Sequence, residues 1–333
     1  MPQSRKIKKN DLAGFCEALK SYDRFLLSCH VSPEGDAIGS ILAMESLLRR
    51  LGKKTKVVAE DDFPTRLSCL SSKRWNKLSD FQSKPADFQA LVVADCPTLE
   101  RIGQVKNLVG PRTVIFNIDH HVSNSRFGRY NYVQPGAAAS GEVVFDIFKK
   151  MRVPITREDA TNLYVALSTD TGSFKYGNTT VRSHLIAAVL IKTGIPLEKI
   201  NDELYSTYSL NKINLYSRLL SRVKTSAEGR LAWATVRCED LEKSGATYED
   251  TEGFIDFLKF LKEVEIAFFL MELPQGGHVR ISFRSRGRHD VNRIATHFKG
   301  GGHRKASGCI LPGELKKVEK VVLEKILREF KLS

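Results

Sequence analysis

The sequence has no apolar run of about eighteen residues, the length that a membrane-spanning helix requires. Its first ten residues, MPQSRKIKKN, lead into a polar, amphipathic segment and do not resemble the apolar core of a signal peptide. Internal repeats and low-complexity tracts are also missing. We therefore expect a globular protein that stays in the cytoplasm and has no membrane partner.

Cysteine is sparse, and no two cysteines form a C-x-x-C pair. Several of the six lie in apolar segments that are typical of buried strands. This placement favours reduced core thiols over disulfides or a zinc knuckle. The six are Cys16, Cys29, Cys69, Cys96, Cys238 and Cys309.

Acidic residues are the minority charge, with 38 Asp and Glu against 52 Lys and Arg, and the formal net charge is +14. Such an excess favours polyanionic partners, such as nucleic acid, nucleotides or an acidic membrane surface. Charge alone does not choose among them. A solvated basic surface that aids solubility is the alternative.

The 333 residues predict about two domains. Apolar, β-branched runs alternate with helical patterns through the first half of the chain, which predicts βαβ units and a parallel sheet. The predicted strands are Arg24–His30, Lys54–Glu60, Ala90–Asp95 and Thr113–His121. Ligands of such sheets bind beyond the carboxyl ends of the strands.

A second alternating region begins after a polar stretch of about residues 197–225, which the pattern predicts to be one long connecting helix. The runs VEIAFFLMEL and GHVRISFRSR are joined by Pro-Gln-Gly-Gly, which predicts a hairpin. The glycine-rich stretch GGGHRKASG, residues 300–308, then leads into a strand and a terminal helix.

Acidic and histidine clusters follow four predicted strand or helix ends. Burying several carboxylates together costs several kcal/mol per ion, because like charges repel and each loses water. Divalent cations bound among the carboxylates would offset this repulsion and loss of water. The clusters are His30-x-x-x-Glu34-x-Asp36, Asp95, Asp119-His120-His121 and Asp170.

Mixed carboxylate and imidazole donors suit Mn²⁺, and also Co²⁺ or Fe²⁺, better than structural zinc. Two ions about 3.5 to 4 Å apart would hold a bridging hydroxide and clamp the attacking and leaving oxygens at phosphorus. The cluster therefore predicts phosphoester hydrolysis. Each residue alone also fits a structural role, such as a helix cap for Asp95. Their convergence at one sheet edge favours the metal site over these separate roles.

The motifs HVSPEGDAIGS, VVADCP, NIDHHVSNSRFG and ALSTDTGSFKYGNTT, followed by ISFRSRGRHDVNRIATHFKGGGHRKASG, resemble the successive motifs of the DHH phosphoesterase superfamily. They are most similar to its NrnA-like branch, which degrades nanoRNA and dephosphorylates 3′-phosphoadenosine 5′-phosphate (pAp). Motif order, spacing and the glycine-rich loop agree over nearly the whole chain.

The resemblance implies an α/β fold with two domains and a cleft between them. The DHH catalytic domain, residues 1–195, would have a mostly parallel five-stranded sheet flanked by helices. A helical linker, residues 196–225, would lead to a smaller α/β DHH-associated domain with a mixed sheet, residues 226–333, which binds substrate.

The resemblance also implies a ligand set for two divalent ions, most simply Mn²⁺, with Mg²⁺ or Co²⁺ as alternatives. The first ion would be held by His30, Glu34 and Asp95. The second would be held by Asp36, Asp95, His120 and Asp170. Asp95 would bridge the two ions, Asp119 would orient its neighbouring ligand, and His121 would face the scissile phosphate.

One position departs from the family pattern. Glu34 stands where the family usually has aspartate, so its carboxylate lies on a stem one methylene longer. Because glutamate is an equally hard oxygen donor, we expect the first metal site to be retained with altered geometry and affinity.

The resemblance also implies that the second domain binds the terminal phosphate or base of the substrate. Arginine binds phosphate through two parallel hydrogen bonds, which makes Arg284 the leading candidate and Arg286 a further one. Glycine lets the backbone approach an anion closely. The implied substrate-binding residues are Arg284, Ser285, Arg286, Gly301, Gly302, His303 and, from the DHH-x-x-N pattern, Asn124.

The expected partners are short RNA or DNA oligonucleotides, including pApA and pGpG, and nucleotides such as pAp. Alternatives are a RecJ-like exonuclease for long single strands and a nucleic-acid-binding module with impaired catalysis. RNA or DNA preference, the polarity of attack and the balance between activities stay open, as does the oligomeric state, for which a homodimer is one option.

Overall fold

The computed structural model describes residues 11–81, 88–206 and 208–331. Contacts between residues divide the chain into two compact units, Met1–Thr207 and Tyr208–Ser333. We call these the N-terminal and C-terminal units. No helix in the described parts of the chain is both long enough and apolar enough to cross a bilayer.

The N-terminal unit contains a sheet in the order β3-β2-β1-β4-β5-β6, in which every neighbouring pair is parallel. The predicted parallel sheet is confirmed, with six strands where five were expected. Short, half-buried strands at both edges, β3 and β6, lack the long apolar runs that mark the central strands. The strands are β1 (Arg24–Ser28), β2 (Lys54–Ala59), β3 (Trp75–Lys77), β4 (Ala90–Ala94), β5 (Val114–Asp119) and β6 (Tyr130–Val133).

Helices of the N-terminal unit pack on one face of this sheet and form the main core. The opposite face buries a smaller cluster against a 3-10 segment, Leu99–Leu108. Alternate residues of each central strand serve the two faces, as Phe25 and Leu26 of β1 do. The helices are α1 (Leu12–Lys20), α2 (Gly35–Arg50), α3 (Ser140–Met151), α4 (Arg157–Asp170), α5 (Val181–Ile191) and α6 (Leu197–Asn201).

The strand order places the predicted ligands together. The chain turns from β1 to one side of the sheet and returns to β4 on the other, so β1 and β4 flank the point where the order reverses. Ligands of open α/β sheets bind at such a point. His30 and Asp95 follow these two strands, and the Asp119–His121 cluster ends the next strand, β5.

The C-terminal unit contains a mixed sheet in the order β11-β12-β10-β9-β8-β7, which confirms the predicted mixed sheet. The pair β8–β9 is parallel, and the other neighbouring pairs are antiparallel. The predicted hairpin is the pair β9–β10. The strands are β7 (Lys224–Ser226), β8 (Leu231–Val236), β9 (Ile266–Glu272), β10 (His278–Ser285), β11 (Gly301–His303) and β12 (Ala306–Pro312).

Both faces of the second sheet carry helices, but they cover different strands. Helices α10 and α11 pack on one face, against β8, β9, β10 and β12. Helices α7, α8 and α9 pack on the other face, where the buried apolar strand residues come from β8 and β9. The helices are α7 (Leu210–Leu220), α8 (Cys238–Ser244), α9 (Phe254–Leu258), α10 (Asn292–His297) and α11 (Leu315–Phe330).

The segment 197–225, expected as one helix, is divided in the structure. Helix α6 continues into a π-helical turn, Asp202–Ser206, and Ile200 is buried in the N-terminal unit. A new helix, α7, starts where the Ser209 side chain accepts a hydrogen bond from the backbone N–H of Lys212. Leu215 and Leu219 then enter the core of the C-terminal unit.

All six cysteines are free, and Cys16, Cys29, Cys96 and Cys309 are buried. The expectation of reduced thiols is therefore confirmed. Burial raises the pKa of the Cys309 thiol to about 11, so the thiol form dominates at neutral pH.

Candidate metal centre

Asp95 lies at the centre of the cluster in the N-terminal unit. It follows β4 and is 2% exposed, and its φ of 54° is in the left-handed region that non-glycine residues rarely adopt. Its Oδ2 atom is 3.5 Å from Nε2 of His30, and its Oδ1 atom is 3.6 Å from Nε2 of His120. One carboxylate thus lies between imidazoles that follow two different strands.

Both imidazoles are oriented by the backbone. Nδ1 of His30 lies 2.8 Å from the carbonyl oxygen of Val31, and Nδ1 of His120 lies 3.1 Å from that of Ala137. Because a carbonyl oxygen only accepts, each Nδ1 carries the proton and donates it. In the neutral imidazole Nε2 then keeps its lone pair, which is the arrangement of metal-binding histidines.

Asp36 lies in the first turn of α2 and is held by the start of α3. The backbone N–H groups of Ser140 and Gly141 donate to its two carboxylate oxygens at 2.7 and 2.9 Å. The Ser140 hydroxyl donates to Asp95 at 2.9 Å. A helix N-terminus, whose N–H groups lack partners within the helix, therefore holds two carboxylates side by side.

Asp170 is the last residue of α4, and its Oδ2 atom lies 3.5 Å from Nε2 of His120. The Asn178 side-chain amide donates to the backbone carbonyl oxygens of Asp170 and Ala138, each at 3.0 Å. Asn178 thereby ties the end of α4 to the loop that precedes α3.

Burial and mutual repulsion dominate the electrostatics of the cluster. Burial, followed by the charge of Asp95, raises the pKa of Asp36 and of Asp170 well above the usual range. Burial would also raise the pKa of Asp95, but the neighbouring imidazoles of His30, His121 and His120 lower it below the usual range. The three carboxylates can all be charged together only with further positive charge nearby.

The donor atoms form two groups that fit a cation. One atom from each of His30, Glu34 and Asp95 lies within 4.8 Å of the other two, and the same holds for Asp36, His120 and Asp170. The imidazole–carboxylate separations of 3.5 to 3.8 Å are long for hydrogen bonds. Nitrogen and carboxylate ligands at about 2 Å from a central ion would span them. The donor set thus fits divalent ions, and Glu34 is its exposed member.

Asp119 connects the second histidine of the motif to the cluster. It is fully buried and accepts from the backbone N–H of His120 at 2.8 Å, from Nδ1 of His121 at 2.7 Å and from the side-chain amide of Asn124 at 2.5 Å. Burial would lower the pKa of His121, but Asp119 and Asp95 raise it to about 9.

Asn124, expected to contact substrate, lies beside Asp119. Its amide also donates to the side chain of Asn117 and the backbone carbonyl of Cys96, and its own oxygen accepts from the backbone N–H of Arg126. Its hydrogen-bonding atoms are therefore engaged inside the N-terminal unit, where they support Asp119.

Three residues of this site were not predicted: Ser140, Gly141 and Asn178. Ser140 and Gly141 follow the small-residue run PGAAA, in which no local pattern identifies their carboxylate partners. A Cβ at Gly141 would lie 2.7 Å from the Cβ of Ala166, so glycine permits α3 and α4 to approach. A Cβ at Gly35 would lie 2.5 Å from the Thr169 side chain, which explains the glycine of the Pro-Glu-Gly turn.

Arg284, in the C-terminal unit, lies on β10 and is half-buried. Its Nε atom is 3.8 Å from the Asp256 carboxylate, and one Nη atom donates to the backbone carbonyl of Phe283 at 3.1 Å. Ala306 of β12 is opposite Arg284, and His303 of β11 is opposite Ala306. Directly opposite residues of antiparallel strands share a face, so Arg284 and His303 lie on one face of this sheet.

Ser285 is the last residue of β10, and Arg286 follows it in a different environment. Ser285 is buried, and its hydroxyl donates to the backbone carbonyl of His289 at 2.9 Å. Arg286 is exposed. Gly301 is open to solvent, with no atom within 4 Å of an added Cβ, whereas at Gly302, with φ of 140°, a Cβ would lie 2.6 Å from the carbonyl of Ala306. Glycine is required at the second of these positions.

Comparison with known proteins shows which family this chain belongs to. Residues 24–167 match the model of the DHH family N-terminal domain, and residues 229–331 match the DHHA1 domain. The chain is 32% identical to the bifunctional oligoribonuclease and PAP phosphatase NrnA of Thermus thermophilus, over 94% of this chain and 92% of that protein. This protein belongs to the DHH family.

Two further relatives extend over most of this DHH-family chain. The protein of the same name from Bacillus subtilis is 27% identical over 86% of this chain and 89% of its own length. The crystal structure of an exopolyphosphatase-related protein from Bacteroides fragilis is 28% identical, covers 99% of this chain and 98% of its own, and has a TM-score of 0.89. The predicted DHH phosphoesterase with two α/β domains is confirmed.

Proposed function

We propose that this enzyme uses two divalent ions, with Mn²⁺ as the expected metal, to hydrolyse short oligonucleotides to mononucleotides and pAp to AMP. The observation that carries the proposal is the convergence of His30, Asp36, Asp95, His120 and Asp170, from separate parts of the chain, at one edge of the sheet. The two activities for which the Thermus and Bacillus relatives are named, oligoribonuclease and PAP phosphatase, support the choice of substrates.

His30, Glu34 and Asp95 would hold one ion, and Asp36, Asp95, His120 and Asp170 the other. When bound, such ions lower the pKa of water to supply a nucleophile and stabilise the charge that develops on phosphorus oxygens. The α3 N-terminus supports this arrangement, because it holds Asp36 and Asp95 in place before any ion binds.

His121 would act directly on the substrate phosphate. Its Nδ1 proton is donated to Asp119, so Nε2 is the atom left for the substrate. The Asp119 carboxylate beside Nδ1 favours the protonated imidazole, from which Nε2 can donate a hydrogen bond to a phosphate oxygen. Asp119 would position this imidazole, as the carboxylate of a catalytic triad does.

Residues of the C-terminal unit would bind the part of the substrate that does not react. Arg284 supplies a guanidinium that matches two phosphate oxygens. Gly301, Gly302 and His303 would approach the terminal phosphate or base, and exposed Arg286 would add positive charge. Buried Ser285 would contribute through the turn that it holds together.

The test is an assay panel of pAp, pApA, pGpG, RNA and DNA of several lengths, and pyrophosphate, each with Mn²⁺, Mg²⁺ or chelator. We expect Mn²⁺-stimulated release of mononucleotides from dinucleotides and of AMP from pAp, both abolished by chelator and by Asp95→Asn. Tight RNA binding without turnover would contradict hydrolysis and favour a binding module. Degradation of long RNA as fast as a dinucleotide would favour the RecJ-like alternative.

The cytoplasmic location and the homodimer stay predictions. Gel filtration with light scattering would decide the oligomeric state.

A further inference from the structure

Among the described residues, one face of the C-terminal sheet is covered by α9 near Arg284, where Asp256 lies 3.8 Å away, and is exposed at Arg280 and Ile310 toward the other end of β10 and β12. On β10, Val279, Ile281 and Phe283 point into the core beneath α10 and α11. Arg280, Ser282 and Arg284 alternate with them and therefore lie on the opposite face. The buried apolar cluster on that face takes its strand residues from β8 and β9, which leaves β10 and β12 outside it.

The strand register pairs each of these residues with a partner on β12. Arg284 is opposite Ala306, Ser282 is opposite Gly308, and Arg280 is opposite Ile310. The first two partners are small, so a ligand can lie close to the sheet beside them. The third is a large apolar side chain that is 55% exposed. These three cross-strand pairs form a shallow surface, which we call the floor, and it ends at Arg280 and Ile310.

Arg280 is the outer positive charge of this floor. It is exposed, and among the described residues its guanidinium has no hydrogen-bond or ion-pair partner. Arg284 lies four residues away on the same strand, at about 13 Å. That distance is comparable to two internucleotide steps, from the first to the third phosphate of an extended single strand. An exposed isoleucine beside a guanidinium also offers a surface on which a base can pack.

We propose that Arg280 and Ile310 form a distal subsite for the third nucleotide of an oligonucleotide whose first phosphate is bound at Arg284. The inference rests on the proposed function, in which Arg284 binds substrate. Arg280 would pair with a phosphate of the extended strand, and Ile310 would support the adjoining base. The subsite would favour trinucleotides over dinucleotides and would leave pAp unaffected, because pAp is too short to reach it.

The test compares Arg280→Gln and Ile310→Ala with Arg328→Gln, an exposed arginine on α11 that lies on the covered side of the same sheet. The kcat/KM values for pAp, a dinucleotide, a trinucleotide and a pentanucleotide are measured with Mn²⁺. Fluorescence anisotropy gives the affinities of labelled di- and trinucleotide in chelator, where cleavage is prevented. For substrates of three or more nucleotides, the two subsite variants should lose about tenfold in kcat/KM and in affinity. Their kcat/KM for pAp and the dinucleotide should equal that of the wild type. Arg328→Gln should match the wild type on all four substrates.

Two outcomes would overturn the subsite. One is that both variants keep the wild-type ratio of kcat/KM for the trinucleotide to kcat/KM for the dinucleotide. The other is that kcat/KM falls by the same factor on all substrates. A wild-type enzyme that hydrolyses none of the four substrates would instead contradict the proposed function. In that case the anisotropy arm still decides whether Arg280 and Ile310 select the longer strand.

Discussion

Asp95 combines a strained backbone with a buried charge. A non-glycine residue in the left-handed region costs about 1 to 3 kcal/mol and persists only where its surroundings hold it. Here its backbone N–H donates to the carbonyl of Ile118, and its side chain accepts from Ser140. The strain turns the carboxylate out of β4 toward His30 and His120, which a regular strand continuation would not do.

Glu34 offers the first prediction, because it is the ligand position that departs from the family pattern. We expect Glu34→Ala to lower Mn²⁺-dependent hydrolysis by about 100-fold or more, since even the partners of metal ligands contribute 10- to 100-fold. Isothermal titration with Mn²⁺ should show one tight ion per chain where the wild type binds two.

Glu34→Asp should keep both ions, because the donor chemistry is unchanged. Glu158→Ala, at an exposed glutamate in the first turn of α4, is the matched control and should match the wild type. Near wild-type turnover of Glu34→Ala would remove this residue from the ligand set.

Asn178 offers a prediction about positioning. Its amide joins the end of α4 to the loop before α3, so Asn178→Ala should let Asp170 move and weaken the ion shared by Asp36, His120 and Asp170 by about tenfold. Mn²⁺ titration should show one weakened and one unchanged site.

The neighbouring Gly177→Ala serves as the control for this loop. A Cβ there meets no atom within 4 Å, so both metal affinities should stay as in the wild type. Equal weakening of both ions in Asn178→Ala would indicate general unfolding of the site and would contradict a role at Asp170.

At this scale the sequence predicted the residues that carry chemistry but not the residues that orient them. Carboxylates and histidines at strand ends are unusual enough to be recognised. Ser140 begins α3 and Asn178 lies in a loop, and both are ordinary polar residues. Their partners, Asp36 at 104 residues and Ala138 at 40 residues along the chain, are adjacent only after folding.

Helices α2 and α4 approach closely enough to position Asp36 and Asp170 together. Gly39 permits this contact, since an added Cβ would lie 2.2 Å from the backbone carbonyl of Asn162, which cannot rotate away. We expect Gly39→Ala to destabilise the N-terminal unit by about 3 kcal/mol through overpacking. Urea unfolding measures this directly.

The two tryptophans, Trp75 and Trp233, lie in different units. In a Trp233→Phe background, fluorescence therefore reports unfolding of the N-terminal unit alone. Gly136→Ala is the control, because its Cβ would meet no atom within 4 Å. A midpoint for Gly39→Ala equal to that of the control would refute close packing at this position.

The segment before the second domain shows where element prediction failed. Its polar composition favoured one connecting helix, but Ser209 starts α7 anew and Leu215 and Leu219 are buried in the C-terminal core. The N-cap and the apolar spacing were present in the sequence. Which core would receive those apolar residues depended on the fold of the second sheet.

At the scale of the whole molecule, the cluster links stability to pH in the metal-free protein. His30 and His121 have raised pKa values, so their stabilising effect is present below their ordinary pKa and is lost as pH rises. The raised pKa values of Asp36 and Asp170 act in the same direction, because folding favours their protonated forms. Asp95 has the opposite sign, but its contribution is already complete near pH 6.

We therefore predict that the N-terminal unit in chelator melts at a lower temperature at pH 8.5 than at pH 6. Mn²⁺ should raise the melting temperature most at the higher pH, since the ions replace protons at the carboxylates. Asp119→Asn removes the carboxylate that raises the pKa of His121. The melting temperature of this variant in chelator should therefore depend less on pH. A metal-free protein that grows more stable toward pH 8.5 would contradict the charge balance described for the cluster.

The sequence by itself determined the family, the parallel sheet and the residue types at the ends of its strands, because local patterns and motif order are properties of contiguous segments. Only the tertiary structure decided which donors face one another, that the start of α3 holds Asp36 and Asp95, and that Ile310 lies opposite Arg280. These relations join residues that are distant in the chain, or depend on which face of a strand the core covers, and no local pattern contains that information.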